Sequence, residues 1–109
     1  MTVVRVPEPV GSFIEAINQQ NDAVFAGAFT SSPFVDDWGS RYDGLEAIKA
    51  WSDRELLGAN GRFTPTAFTR DDSIITVTGD WRSAFANGPS LFRFRMDGDK
   101  IASMTIREG

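Results

Sequence analysis

The chain changes its hydrophobic period once, at Gly58-Ala59-Asn60-Gly61, and this limits the folds open to it more than any other feature. Before the break, apolar residues recur three and four apart, as on one face of a helix; after it they alternate in twos, as on a strand. Val10, Phe13, Ile14 and Ile17 make the first helical stripe, with Glu15, Asn18 and Gln19 between them. Its start has two readings: Pro9 at the first helical position, or Ser12 as a cap three residues before Glu15. Asn21-Asp22 breaks this helix and caps a short second one carrying Ala23, Val24, Phe25, Ala28 and Phe29. Thr30-Ser31-Ser32-Pro33 reads as its end, because the residue before a proline disfavours helix. Phe34-Val35 then reads as a brief strand entering Asp36-Asp37-Trp38-Gly39, and Gly39 and Gly44 bracket a loop that holds Arg41, Tyr42 and Asp43. Residues 44–57 form the clearest helix, with Leu45, Ile48, Trp51 and Glu55 toward one face.

Beyond the break, four strands are expected, at 62–69, 73–85, 90–96 and 100–107. Arg70-Asp71-Asp72, Asn87-Gly88-Pro89 and Asp97-Gly98-Asp99 are the turns between them. Pro65 marks an edge or a bulge, and Gly79 inside the longest strand marks a bend. Helices first and a meander after them define an α+β fold. A strongly curved antiparallel β-sheet wrapped by three N-terminal helices makes a cone with an interior. Nothing divides the 109 residues, so 1–109 is expected to be one domain, with residues 1–9 as an extended arm.

Composition removes several functions. A net charge of −4 with dispersed basic residues argues against nucleic acid as a partner. Arg93 and Arg95 share a strand face, which reads as solvated or interfacial. Without Cys or His the chain has no thiol chemistry, no imidazole base and no imidazole metal ligand. No calcium-loop pattern is present, and Gly58-Ala59-Asn60-Gly61 lacks the Lys-Ser/Thr of a phosphate loop, so neither a metal nor a cofactor is expected. No signal peptide or membrane-length apolar run appears, which predicts a cytoplasmic protein with no membrane partner. Nine Phe and three Trp either fill the core or line a cavity.

Phe29 followed by Phe34-Val35-Asp36-Asp37, and then Tyr42-x-Gly44-x-x-Ala47-Ile48-x-x-Trp51, resembles the nuclear-transport-factor-2-like superfamily, and within it the SnoaL-like branch. The resemblance runs over nearly the whole chain from Val10. It implies a cone-shaped fold (a cystatin-like roll) with a pocket at its open end, and a homodimer formed through the sheet. Ketosteroid isomerase, a member of this superfamily, carries its catalytic carboxylate at the position that Asp37 matches. Its two oxyanion-hole donors, a tyrosine and a protonated aspartate, match Phe13 and Ser90 here. Phe13 has no donor and Ser90 is a weak one, which speaks against steroid isomerisation but not against every proton transfer.

Asp37 is therefore the candidate catalytic base, beside an aromatic residue at a cavity mouth. The competing reading is a loop aspartate that caps local backbone groups. Asp36 faces the other way in an extended segment, so it is expected at the surface, as is Asp53. Trp38, Tyr42 and Trp51 are candidate pocket walls. Phe13 and Ile17 on the first helix, and Trp81, Ser90 and Phe92 on the strands, are expected to line the same interior. Arg41 either pairs with neighbouring carboxylates or holds a ligand carboxylate. A largely apolar wall favours an apolar or aromatic small molecule over a sugar phosphate. Two functions follow. One is a cofactor-free proton-transfer enzyme of isomerase, cyclase or dehydratase type. The other is a non-catalytic binding or dimerisation module whose cone is filled by its own Phe and Trp side chains.

Overall fold

The structure, a computed structural model, describes residues 4–84 and 86–109. Residues 1–3 of the expected arm, and Phe85, lie outside the described residues. Helix α1 (Val10–Gln19) buries Val10, Phe13, Ile14, Ala16 and Ile17, the stripe set by its period. It opens after Pro9. Ser12 does not cap it; Ser12 instead donates from both its backbone N–H and its hydroxyl to the Glu8 carboxylate. Helix α2 (Asp22–Gly27) is capped by Asn21, whose Oδ1 accepts the Val24 N–H at 3.2 Å. Helix α3 (Leu45–Glu55) buries Ile48, Trp51 and Ser52. An ion pair between Lys49 Nζ and Asp22 Oδ2, 2.5 Å apart, ties α3 to α2.

The sheet has six strands: β1 (Phe29–Asp37), β2 (Ser40–Asp43), β3 (Arg62–Asp71), β4 (Ile74–Arg82), β5 (Asn87–Asp97) and β6 (Lys100–Glu108). Their order is β2-β1-β6-β5-β4-β3, antiparallel throughout except where β1 runs parallel to β6. Three local expectations are corrected. Thr30 to Pro33 does not end a helix; it lies inside β1, and the pairing with β6 shifts register between Phe29 and Phe34, so that the ladder skips this stretch. The loop expected between Gly39 and Gly44 is strand β2, paired to β1 through Phe34–Asp43 and Asp37–Ser40. Asn87-Gly88-Pro89 is not a turn; it opens β5 opposite Arg82, Trp81 and Asp80. The turn comes earlier and is held by side chains: Ala86 N–H donates to Ser83 Oγ at 3.1 Å, and Ser83 N–H to Asn87 Oδ1 at 3.2 Å.

The bend falls where Pro65 and Gly79 predict it. Register shifts between Pro65 and Ala67 in edge strand β3, opposite Gly79 of β4. A side chain at Gly79 would put its Cβ 2.3 Å from the Thr64 carbonyl oxygen and 2.8 Å from the Phe63 ring, so only glycine permits this approach. Asn18 of α1 pins the same edge, accepting the Phe63 N–H at 2.6 Å and donating to the Phe63 carbonyl at 2.8 Å. The sheet curves around the helices. Its inner residues, among them Phe63, Ile75, Val77, Phe92, Phe94 and Met104, are buried. No described helix is long and apolar enough to cross a membrane.

Candidate functional site

Strand alternation decides what the two adjacent aspartates do. The β1–β6 register sets Val35 and Asp37 beside Met104 and Ile106 on the inner face, and Asp36 beside Thr105 on the outer face. Asp36 is not simply a solvated surface group. Arg107 grips it with two parallel hydrogen bonds, Nη1 to Oδ1 at 3.0 Å and Nη2 to Oδ2 at 3.1 Å. Asp36 Oδ1 also accepts the Gly39 N–H at 2.8 Å, which fastens the β1–β2 hairpin turn. The Arg107 hydrogen bonds, and secondly the Gly39 N–H, hold the Asp36 carboxyl below the usual carboxylate range.

A pH dependence follows. The folded state favours ionised Asp36, so its contribution is fully present above the unfolded carboxyl pKa of about 3.9 and fades as pH falls through the lower folded value. Asp36→Asn is therefore expected to melt lower than the parent chain at pH 7, with the gap closing below about pH 4. Melting curves of the two proteins from neutral pH to pH 2 check this; a gap unchanged throughout would show that the ion pair contributes nothing to it.

On the inner side, Asp37 Oδ2 accepts the Trp51 indole N–H at 3.0 Å. Trp51 is buried on α3 and stacks on Tyr42 of β2, their ring centroids 5.8 Å apart. The carboxylate is thereby fixed in direction, and its other oxygen takes no hydrogen bond from the described residues. Trp38 sits at the hairpin tip in the left-handed region (φ 54°) and is 60% exposed. A bulky residue in that region is unusual in a tight turn, where Asn or Gly is the ordinary choice. Gly61 lets the Trp81 ring come close against the turn after α3; a Cβ there would be 2.2 Å from the ring.

These groups enclose a cavity of about 580 Å³ between the hairpin, the end of α3 and the inner faces of β4, β5 and β6. The volume suits a small organic molecule. Of the sequence-predicted residues, Asp37, Trp38, Tyr42, Trp51, Trp81, Ser90 and Phe92 come together on its wall. Phe13 and Ile17 do not. Both are fully buried, and Phe13 is engaged with other rings beneath a second hollow, bordered by Glu8, Pro9 and Val24. Arg41 is also outside; it pairs with Asp43 at 2.9 Å and stacks 3.8 Å above the Phe34 ring. Asp53 is exposed, 4.0 Å from Lys49.

The wall is more polar than expected. Ser40, Glu55, Asn87 and Glu108 line it as well, and none of them is a candidate from the sequence. Glu55 was placed on the apolar face of its helix, which carried the signal; Glu108 reaches the cavity because it pairs with Ser90 on the inner face. The hydroxyls of Tyr42 and Ser90 take no hydrogen-bond partner among the described residues. No group of three acidic side chains among the described residues is placed to hold a metal ion.

A curved six-stranded sheet around three helices, with a polar-lined cavity at its open end, defines a cone-shaped α+β protein. Solved structures give that cone its name. The chain matches a proposed polyketide cyclase from Sinorhizobium meliloti with a TM-score of 0.84 at 20% identity, over 94% of this chain and 95% of that one. A protein from Catenulispora acidiphila with a ketosteroid isomerase-like fold, solved with trimethylamine, matches with a TM-score of 0.79 at 21% identity, over 96% and 88%. A SnoaL-like polyketide cyclase, also a proposed one, from Shewanella putrefaciens matches at 0.77 and 10% identity, over 90% and 75%. No family profile and no curated protein sequence matches the chain. An NTF2-like protein of unknown function from Cytophaga hutchinsonii matches with a TM-score of 0.82 at 10% identity, over 97% of this chain and 93% of that one, so the fold is that of the nuclear-transport-factor-2-like proteins, as the sequence resemblance implied.

Proposed function

We propose that this protein binds a small molecule with a flat apolar body in the cone and moves a proton on it without a cofactor, Asp37 acting as the base. One observation carries the reading: a carboxylate on the cavity wall, oriented by a buried indole N–H, with its second oxygen free of partners among the described residues. The reaction class that fits is proton transfer at a carbon next to a carbonyl. Asp37 takes the proton, the developing oxyanion accepts hydrogen bonds from the Tyr42 and Ser90 hydroxyls, and Asp37 returns the proton to another atom. Phe13 supplies no donor, so the hole is not the one ketosteroid isomerase uses. The resemblance in fold to SnoaL-like cyclases supports an isomerase or cyclase chemistry of this kind.

The test is a thermal-shift screen with polyketides, steroids and aromatic ketones, followed by crystallography of any hit. A ligand at a hundred times its Kd is expected to stabilise the fold by about 2.7 kcal/mol. Density in the cavity beside Asp37 is the supporting result. Binding elsewhere, or none across the panel, would favour the module reading, in which the cone serves without a ligand.

We also propose that two copies pair through the outer face of the sheet. That face has no helix over it and carries half-exposed Phe34, Ile74 and Leu91. Light scattering at micromolar concentration is expected to give twice the 12.0 kDa chain mass; a single-chain mass would refute the pairing.

A further inference from the structure

We infer that the ligand of this cavity carries a positive charge, an organic ammonium group attached to an aromatic or polycyclic body. The inference rests on the reading of the cavity as the ligand site. The ionisable side chains on its wall, tyrosine aside, are of one sign: Asp37, Glu55 and Glu108 are there, and no lysine or arginine is. None of the three has a counter-ion among the described residues. Asp37 takes only the neutral Trp51 N–H, while Glu55 and Glu108 make no side-chain hydrogen bond or ion pair with any described residue.

Of the arginines on the strands that border the cavity, Arg41, Arg82 and Arg107 are paired with aspartates, and Arg93 and Arg95 lie on the outer face of β5. Arg107 lies near enough to feel the charge of Asp37, but its guanidinium is bound to Asp36 on the other face of the sheet. Arg82 pairs with Asp80 at 2.8 Å, and Arg41 with Asp43. The cavity wall therefore carries three carboxylates and no cation of its own, and a concave low-dielectric wall focuses such a field.

Two further features choose the kind of cation. The carboxylates come from β1, α3 and β6, and no group of three is close enough to hold a metal ion. A diffuse organic cation fits that spacing; a point metal ion does not. Aromatic residues share the wall with the carboxylates: Trp38, 60% exposed, the partly exposed Tyr42, and the buried Trp51 and Trp81. Aromatic faces attract ammonium groups and also accept a flat apolar body. An anion would meet repulsion from each carboxylate and find only neutral donors in return.

The test compares phenethylammonium, phenethyl alcohol and hydrocinnamate, which share one aromatic body and differ in charge. Binding is followed at pH 7 and low salt by tryptophan fluorescence and by NMR shifts of the indole N–H groups. Phenethylammonium is expected to bind about tenfold tighter than phenethyl alcohol, and hydrocinnamate to bind weakest. The double variant Glu55→Gln, Glu108→Gln alters two exposed side chains and spares the core. It is expected to weaken phenethylammonium about three- to tenfold and to leave phenethyl alcohol unchanged, and raised salt is expected to do the same. Equal binding of the alcohol, tighter binding of hydrocinnamate, or indifference of the ammonium to the double variant would overturn the charge inference while leaving the cavity as the ligand site. If none of the three probes perturbs the cavity indoles, both the inference and the reading beneath it fail.

Discussion

Replacing Phe13 by Ala is expected to lower the free energy of unfolding by about 3–5 kcal/mol, the usual cost of deleting a buried aromatic ring and leaving a hole. Phe13 is 0% exposed and stands at the centre of four rings. It stacks on Phe25 at 5.0 Å and meets Phe29 and Phe94 edge-on at 5.4 and 5.6 Å. One side chain thereby joins α1, α2, β1 and β5, so the surroundings cannot collapse into the gap without moving two helices relative to the sheet. A domain of this size is stable by only about 5–15 kcal/mol, so the loss is a large share of the total. Phe13→Leu keeps most of the volume and is expected to cost only about 1–1.5 kcal/mol. Urea unfolding of the three proteins decides it. An alanine variant within about 1 kcal/mol of the parent would mean that the ring cluster does not hold α1 and α2 to the sheet.

This cluster also explains why Phe13 and Ile17, expected on the pocket wall, stand in the core. A stripe of Phe13 and Ile17 on a helix facing a conical sheet is equally consistent with a pocket wall and with core. The choice depends on Phe25, Phe29 and Phe94, which arrive from three other elements and close over Phe13. The bend, by contrast, was legible, because Pro65 and Gly79 act through their own backbone limits and those travel with the sequence. Strands β1 and β2 were not. Thr30-Ser31-Ser32-Pro33 has the local chemistry of a terminator, and what carries the strand through it is the pairing of its flanks, Phe29 and Phe34–Asp37, to β6 some seventy residues later and of Phe34–Asp37 to β2. The same distance hid Glu108 and Asn87, whose exposure and polarity mark them as ordinary surface until register turns them inward or brings them to the rim.

Asp37 and Trp51 were read from one short run, and the structure couples them through a hydrogen bond. This gives the second large expected effect. With a substrate from the ligand screen in hand, Asp37→Asn is expected to reduce kcat by about a hundredfold to ten-thousandfold, the range that a positioned acid–base group contributes. The substitution is close to isosteric. The asparagine carbonyl can accept the Trp51 N–H as the carboxylate does, so the hairpin, the cavity and the affinity for a neutral ligand are expected to stay as they are. With a neutral substrate, a loss confined to kcat, with KM nearly unchanged, would place Asp37 at the proton transfer rather than in ligand binding. Trp51→Phe supplies the control. It keeps an aromatic ring against Tyr42 but removes the N–H that orients the carboxylate, and is expected to cost a smaller factor, about tenfold to a hundredfold. Turnover that survives Asp37→Asn would remove Asp37 as the base. The Trp51 bond would then be a structural tie between α3 and β1, with the proton handled by another group on the wall, and Glu55 and Glu108 are the carboxylates that stand there.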